Sequence, residues 1–313
     1  MISRVAENLF WLARYVERAE NTARALEATL SYALDTQASG AGPWRSLVVI
    51  DGELDRFTAA FGADACHDGE RVQHWLALNH DCPVSIRASL AAARENARTT
   101  RELTTRDMWE TLNAFWLWLE SDAAVRLFRR DRFAFYSRIR EASAQFRGAW
   151  RATMLQDEAF HFMELGVHLE RAAQIARIVD MRHHTFAGTD VVADSPADTL
   201  SWVHVLQSSS AWESFFRTNR SVRGRRAARF LLLEPRFPRS LLFCIEKSAQ
   251  SLEIIRPADG THPASAGAHI LADLRRHLTS RSIDELLLAG LHGELTQFIN
   301  TVAAACDSLY ADF

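Results

Sequence analysis

The chain has 313 residues, a formal net charge of −3 and 48% hydrophobic residues. That length buries a core able to support itself without disulfide staples or structural metal. The charge gives no global bias toward nucleic acid or membrane, and neither partner is expected. Of 36 basic residues only Lys247 is lysine, and arginine's planar fork suits bidentate carboxylate and phosphate contacts. Cys66, Cys82, Cys244 and Cys306 fall in no paired or ligand-like spacing and read as reduced thiols. With polar residues such as Arg4 and Glu7 at the N-terminus and no run of eighteen apolar residues, a soluble cytoplasmic protein is expected.

The stretch 3–30 opens the chain as one long amphipathic helix. Val5, Leu9, Leu12, Val16, Ala19, Ala23, Leu26 and Leu30 alternate at spacings of three and four, which lays them along one face. Arg14, Glu17, Asn21 and Arg24 form a polar stripe beside that face, with Arg18 one position round. Further helices are expected over 44–61, 70–78, 84–103, from the cap Asp107 through the aromatic run to residue 120, and over 126–154. A copy of the first helix follows over 157–183, then helices over 199–216, 222–233, 238–255, 266–278 and 283–309. Segments 36–43, 184–197 and 256–267, rich in Gly, Ser, Asp or Pro, read as loops. The expected architecture is a single all-α domain of about twelve helices in two tandem six-helix halves, 1–155 and 156–313.

The halves resemble one another. Glu17, Arg18, Ala19, Ala23 and Arg24 recur as Glu170, Arg171, Ala172, Ala176 and Arg177; Trp75, Pro83 and Ser85 match Phe230, Pro238 and Ser240. Small residues four apart let helix axes approach, so the first helix and its copy are expected to pack together, bringing both Glu-Arg pairs to one interior. Two readings of that interior follow. Buried ion pairs can set helix register. Alternatively, Arg14, Glu17, Arg18, Asn21, Arg24, Glu170, Arg171 and Arg177 line a pocket for an anionic ligand, with Glu95, Arg98, Trp109 and Asn113 as contributors present in one half only. The catalytic alternative gives Glu17 and Glu170, with their flanking arginines, an amide-forming or amide-cleaving role.

Glu158, His161, Glu164 and His168 have helical metal-site spacing, but no second Glu-x-x-His accompanies them. No Gly-rich phosphate loop or nucleophile elbow is present, and no metal or cofactor is expected. Arg217, Arg220, Arg223, Arg225, Arg226 and Arg229 form a run without an acid, suited to docking an acidic partner.

Taken together, SRVAENLFWLARYVERAENTAR, PVSI, ARENAR, TTRDMWETLN, LGVHLERA and FPRSL resemble the alpha-E domain family, a bacterial all-helical family named for its Glu-Arg motif. The resemblance covers nearly the whole chain. It implies an accessory to circularly permuted ATP-grasp ligases and transglutaminase-like peptidases, in making or processing an amide-linked peptide product. The second copy departs from the family pattern at Val167, His168 and Ile175.

Overall fold

A computed structural model describes residues 3–36, 42–185, 192–255 and 266–312. The interiors of the three loop segments, 37–41, 186–191 and 256–265, lie outside the described residues. Among the described residues there are sixteen α-helices, one 3-10 turn and no strand. The first eight helices are α1 (Ser3–Thr36), α2 (Gly42–Ile50), α3 (Leu54–Phe61), α4 (Gly69–Ala77), α5 (Ile86–Thr99), α6 (Arg106–Leu119), α7 (Asp122–Arg130) and α8 (Arg132–Thr153). The second eight are α9 (Glu158–Thr185), α10 (Pro196–Ser208), α11 (Trp212–Phe216), α12 (Gly224–Leu233), α13 (Leu241–Ile255), α14 (Ala266–Ser280), α15 (Ile283–Leu288) and α16 (Leu291–Asp312).

Sixteen helices replace the expected twelve because local breaks divide four of the predicted segments. Gly52 at φ 74° ends the helix predicted over 44–61, a conformation glycine adopts without strain. Ser210 at φ 50° and Gly290 at φ 96° divide 199–216 and 283–309. Asp131 takes an extended conformation between α7 and α8, and its carboxylate accepts from the Ala134 amide to cap the second. Thr105 caps α6, in place of the predicted Asp107. Each such side chain satisfies an amide that the helix start leaves unpaired.

α1 and α9 lie side by side at the centre and make the most extensive helix contact in the molecule. Ala19, Ala23, Ala172 and Ala176 are all fully buried. The helices approach closely at Gly166, where a β-carbon would lie 2.3 Å from the Phe10 carbonyl oxygen. α5, α8 and α10 pack on α1, while α13, α16 and α2 pack on α9. α9 is buried on almost every side, which explains why its polar residues had to find partners within the protein.

His204 on α10 illustrates that constraint. Its Nε2 lies 3.0 Å from the Thr29 hydroxyl and its ring stacks on Tyr32 at 4.7 Å. Burial holds the imidazole far below its ordinary 6.5, at about 3. The unfolded chain therefore takes up a proton that the folded one refuses. This contribution is fully present above pH 6.5 and is lost as pH falls toward 3, at up to about 1.4 kcal/mol per pH unit. In urea melts from pH 7 to 4, His204→Gln is expected to show a shallower fall in stability than the parent; parallel curves would refute the assignment.

Candidate functional site

The centre of the molecule is a network of crossed ion pairs between α1 and α9. Arg171 donates from Nε and a terminal nitrogen to the two Glu17 oxygens, at 2.7 and 2.9 Å. Reciprocally, Arg18 grips Glu170 at 2.6 and 3.0 Å, and Arg14 adds a bond of 2.8 Å to the same carboxylate. The contacts link residue 10 to 166, 14 to 170 and 17 to 171, so the two helices run in the same direction.

Glu20, one turn beyond Glu17, is completely buried and collects three arginines. Arg24 donates to it at 2.6 and 2.9 Å, Arg239 at 3.1 Å, and Arg147 on α8 pairs with its other oxygen. Arg239 also donates to the Asn21 side-chain oxygen at 2.7 Å, while the Asn21 amide donates to Glu17 at 3.3 Å. Arg24 reaches the Ser210 hydroxyl as well. Six guanidinium groups, of Arg14, Arg18, Arg24, Arg147, Arg171 and Arg239, thus surround the three carboxylates of Glu17, Glu20 and Glu170.

The electrostatics of the two motif glutamates follow. Burial alone would raise both acids, but the charges of Arg171, Arg239 and Arg147 outweigh it for Glu17 and hold it well below the usual carboxylate range. For Glu170, Arg18 and Arg14 do the same. Arg239 is pushed down to about 9 by its own burial. It still carries its charge at neutral pH.

The other predicted site residues fall elsewhere. Arg177 is half-buried, within 3.4 Å of the Gln174 oxygen, near the Asp51 carboxyl, which burial raises. Glu95 and Arg98 do not reach the interior: they are 55% and 60% exposed and pair with each other along α5. Their three-residue spacing satisfies both locally, leaving no reason to turn inward. Trp109 and Asn113 form a separate patch on α6, where Arg94 donates to Asn113 at 2.8 Å and Arg101 lies 4.6 Å over the Trp109 ring. Arg217, Arg220, Arg223, Arg225, Arg226 and Arg229 are all exposed. Arg223 pairs with Asp194 and Arg225 with Asp284; among the described residues the other four have no ion-pair partner.

Sequence reasoning missed Glu20, Arg147 and Arg239. Glu20 extends the Glu17 stripe by three residues, a legible signal, and Arg239 sits inside FPRSL. Nothing in the sequence pointed to Arg147.

A cleft of about 570 Å³ opens beside this network, between α8, α9 and α13. Arg147 and Arg171 reach its wall from the interior, and Arg151, Lys247, His161, His168 and Glu164 join them. Glu164 accepts from Arg151 at 2.8 Å and contacts His168 at 3.2 Å. Burial lowers the His168 imidazole despite that carboxylate, leaving it neutral at pH 7. The Nδ1 atoms of His161 and His168 are buried without a hydrogen-bond partner. Four cations and one carboxylate line the cleft, Arg147 and Arg171 being paired behind its wall with Glu17 and Glu20, and this lining suits an anion. A larger cleft of about 660 Å³ between α13 and α14 includes no member of the central network.

The fold and site define an all-helical protein whose two central helices are clamped by reciprocal Glu-Arg pairs. The chain belongs to the Alpha-E family, a predicted alpha-helical domain with a conserved ER motif, whose model matches residues 1–313. Glu-Arg dipeptides stand at Glu17-Arg18 on α1 and Glu170-Arg171 on α9, and also at Glu70-Arg71 on α4. An uncharacterized protein of Mycobacterium bovis is 23% identical over 319 residues, covering 96% of this chain and 35% of its own length. Two uncharacterized proteins of Mycobacterium tuberculosis are 23% and 22% identical with the same coverage. This chain therefore spans about a third of the length of those relatives. No solved structure matches it. No helix among the described residues is long and apolar enough to cross a membrane.

Proposed function

We propose that this chain is a non-catalytic, cytoplasmic helical partner of an amide- or peptide-forming ligase of the circularly permuted ATP-grasp class, acting alongside a transglutaminase-like peptidase. It holds an acidic peptide segment of substrate or partner in the cleft between α8, α9 and α13, and the exposed arginines of 217–229 extend the docking surface. The observation that carries the binding role is the cationic cleft, whose charges are supplied partly by guanidinium groups already locked in place by buried carboxylates. Such pre-ordered cations lose little freedom on gripping a carboxylate. The ligase and peptidase association rests on the family resemblance. It is consistent with relatives in which the similar region is only about a third of a longer chain.

The residues argue against the catalytic alternative. Glu17 and Glu170 are each saturated by arginine and held strongly acidic, so neither has the affinity for a proton that a general base or acid needs near pH 7. Cys82 and Cys244 are no better placed as nucleophiles, since burial pushes both thiols up to about 12.

The Glu-Arg scaffold itself we infer to be an internal duplication, α1–α8 corresponding to α9–α16. Supporting it, Ser85 donates to the Asn79 carbonyl and accepts from the Ala88 amide, while Ser240 treats Glu234 and Phe243 in the same way. α5 lies on α1 as α13 lies on α9, and α2 and α10 each cross to the other half's central helix.

The binding role is tested with fluorescein-labelled polyglutamate. Lys247→Ala combined with Arg151→Ala removes two cations that contribute nothing to the buried network. Binding by the parent, weakening with salt, and a loss of at least about tenfold in the double variant are expected, tenfold corresponding to about 1.4 kcal/mol. No binding, or equal binding by a double variant with unchanged melting temperature, would dismiss the cleft as the site.

A further inference from the structure

The C-terminal end of α9 carries a second polar cluster, separate from the Glu-Arg network. Asp180 is a buried carboxylate, 7% exposed. Its Oδ1 lies 2.7 Å from His292 Nδ1 on α16, and its Oδ2 lies 3.2 Å from His184 Nε2 one turn along α9. One donor atom from each of the three lies within 4.8 Å of the others. His183 stacks face to face on the His292 ring at 3.9 Å, which holds the plane of that imidazole.

Asp180 differs from most of the other buried acids of this protein, sharing only with Glu53 the lack of an arginine or lysine salt bridge among the described residues. Glu17, Glu20 and Glu170 each meet at least two arginines, and Asp198 is paired with Arg182. Asp180 meets no arginine or lysine among the described residues. The guanidinium on its own turn, Arg182, is held by Asp198 and by the Ser201 hydroxyl at 2.8 Å. A buried carboxylate needs a counter-charge, and among the described residues the side chains that meet the Asp180 oxygens are the imidazoles of His184 and His292.

We propose that Asp180, His184 and His292 form a binding site for a divalent metal ion of the zinc class. Two imidazole nitrogens and one carboxylate oxygen are a borderline-soft N,O set, which suits zinc and its transition-metal neighbours better than magnesium or calcium. Ligands about 2.0–2.1 Å from a tetrahedral ion sit roughly 3.3 Å apart. The Asp180 oxygens lie 2.7 and 3.2 Å from the two imidazole nitrogens and the ligand atoms all fall within 4.8 Å of one another, so an ion is seated by opening the shorter contact and closing the widest separation through side-chain torsions. Asp180 and His184 are four residues apart, so one helix face presents both. His292 closes the site from α16, so an ion here ties the end of α9 to the start of the last helix. Three protein ligands leave the fourth position for water or a partner's side chain.

The test is calorimetric titration of the EDTA-treated full chain with zinc chloride, with thermal melting as a second reading. One equivalent is expected to bind, raising the melting temperature. His292→Ala, at a half-exposed position, keeps the fold and should weaken binding at least about tenfold, the lower end of what even a supporting partner of a metal ligand contributes. His184→Ala should do the same, and Co²⁺ bound to the parent should show the visible absorption of a tetrahedral site. Absence of zinc binding by the parent, or binding of equal strength in both folded variants, would overturn the proposal.

Discussion

Glu17→Gln is expected to lower the unfolding free energy by about 3–5 kcal/mol, the typical cost of removing one partner from a buried ion pair. The amide has nearly the shape of the carboxylate, so the loss comes from charge. Arg171 and Arg239 remain buried on its former oxygens, with Arg147 3.5 Å from one of them. Urea denaturation reads the change as a lower midpoint at constant slope. Glu95→Gln is the matched control. Its carboxylate is 55% exposed and paired with Arg98, and solvent screening leaves such exposed pairs little effect on stability. Equal effects in the two variants would mean that the central network does not clamp α1 to α9. An intact fold with weakened polyglutamate binding would instead place Glu17 in the ligand site itself.

Gly166→Ala should be nearly as damaging, although alanine is the better helix former by about 1 kcal/mol. The new methyl group would stand 2.3 Å from the Phe10 carbonyl oxygen, and that oxygen belongs to the backbone of α1. No rotamer relieves the overlap, so the helices must part and the ion pairs across them must lengthen. Overpacking typically costs about 1–3 kcal/mol and occasionally more; a net loss of about 2 kcal/mol or greater is expected. Gly148→Ala on α8 provides the contrast. Nothing lies within 4 Å of its added methyl group, and a gain of about 0.4–1 kcal/mol is expected from propensity and the less flexible unfolded chain. If Gly166→Ala stabilised the protein as Gly148→Ala does, the close approach of α1 and α9 would be wrong.

These two variants separate the contributions to the central contact. Charge gives it specificity, because each glutamate accepts a particular guanidinium fork from the other helix. Small residues give it proximity, because the arginines can reach across only if the backbones nearly touch. The cleft inherits its charge from the same arrangement. Arg147 and Arg171 have one side against buried glutamates and the other toward the opening.

The all-helical class, the two long helices and the polar stripe that carries Glu17 and Arg18 are legible in the order of residues alone. Those follow from a period of 3.6 residues, which assigns each side chain to a face before any partner is known. Single Gly, Ser and Asp residues that divide longer apolar patterns are weaker local signals, and the divisions at Gly52, Asp131, Ser210 and Gly290 were missed for that reason. Which arginine meets which glutamate is set by the packing of the helices. A helix face has a direction but no address, and a long arginine can satisfy itself three residues away, as Arg98 does with Glu95, or cross to another helix, as Arg18 does with Glu170. Arg147 and Arg239 enter the network from helices and turns distant in sequence, and His292 reaches Asp180 across 112 positions of chain. Such contacts depend on how the helices pack, which periodicity along one helix does not encode.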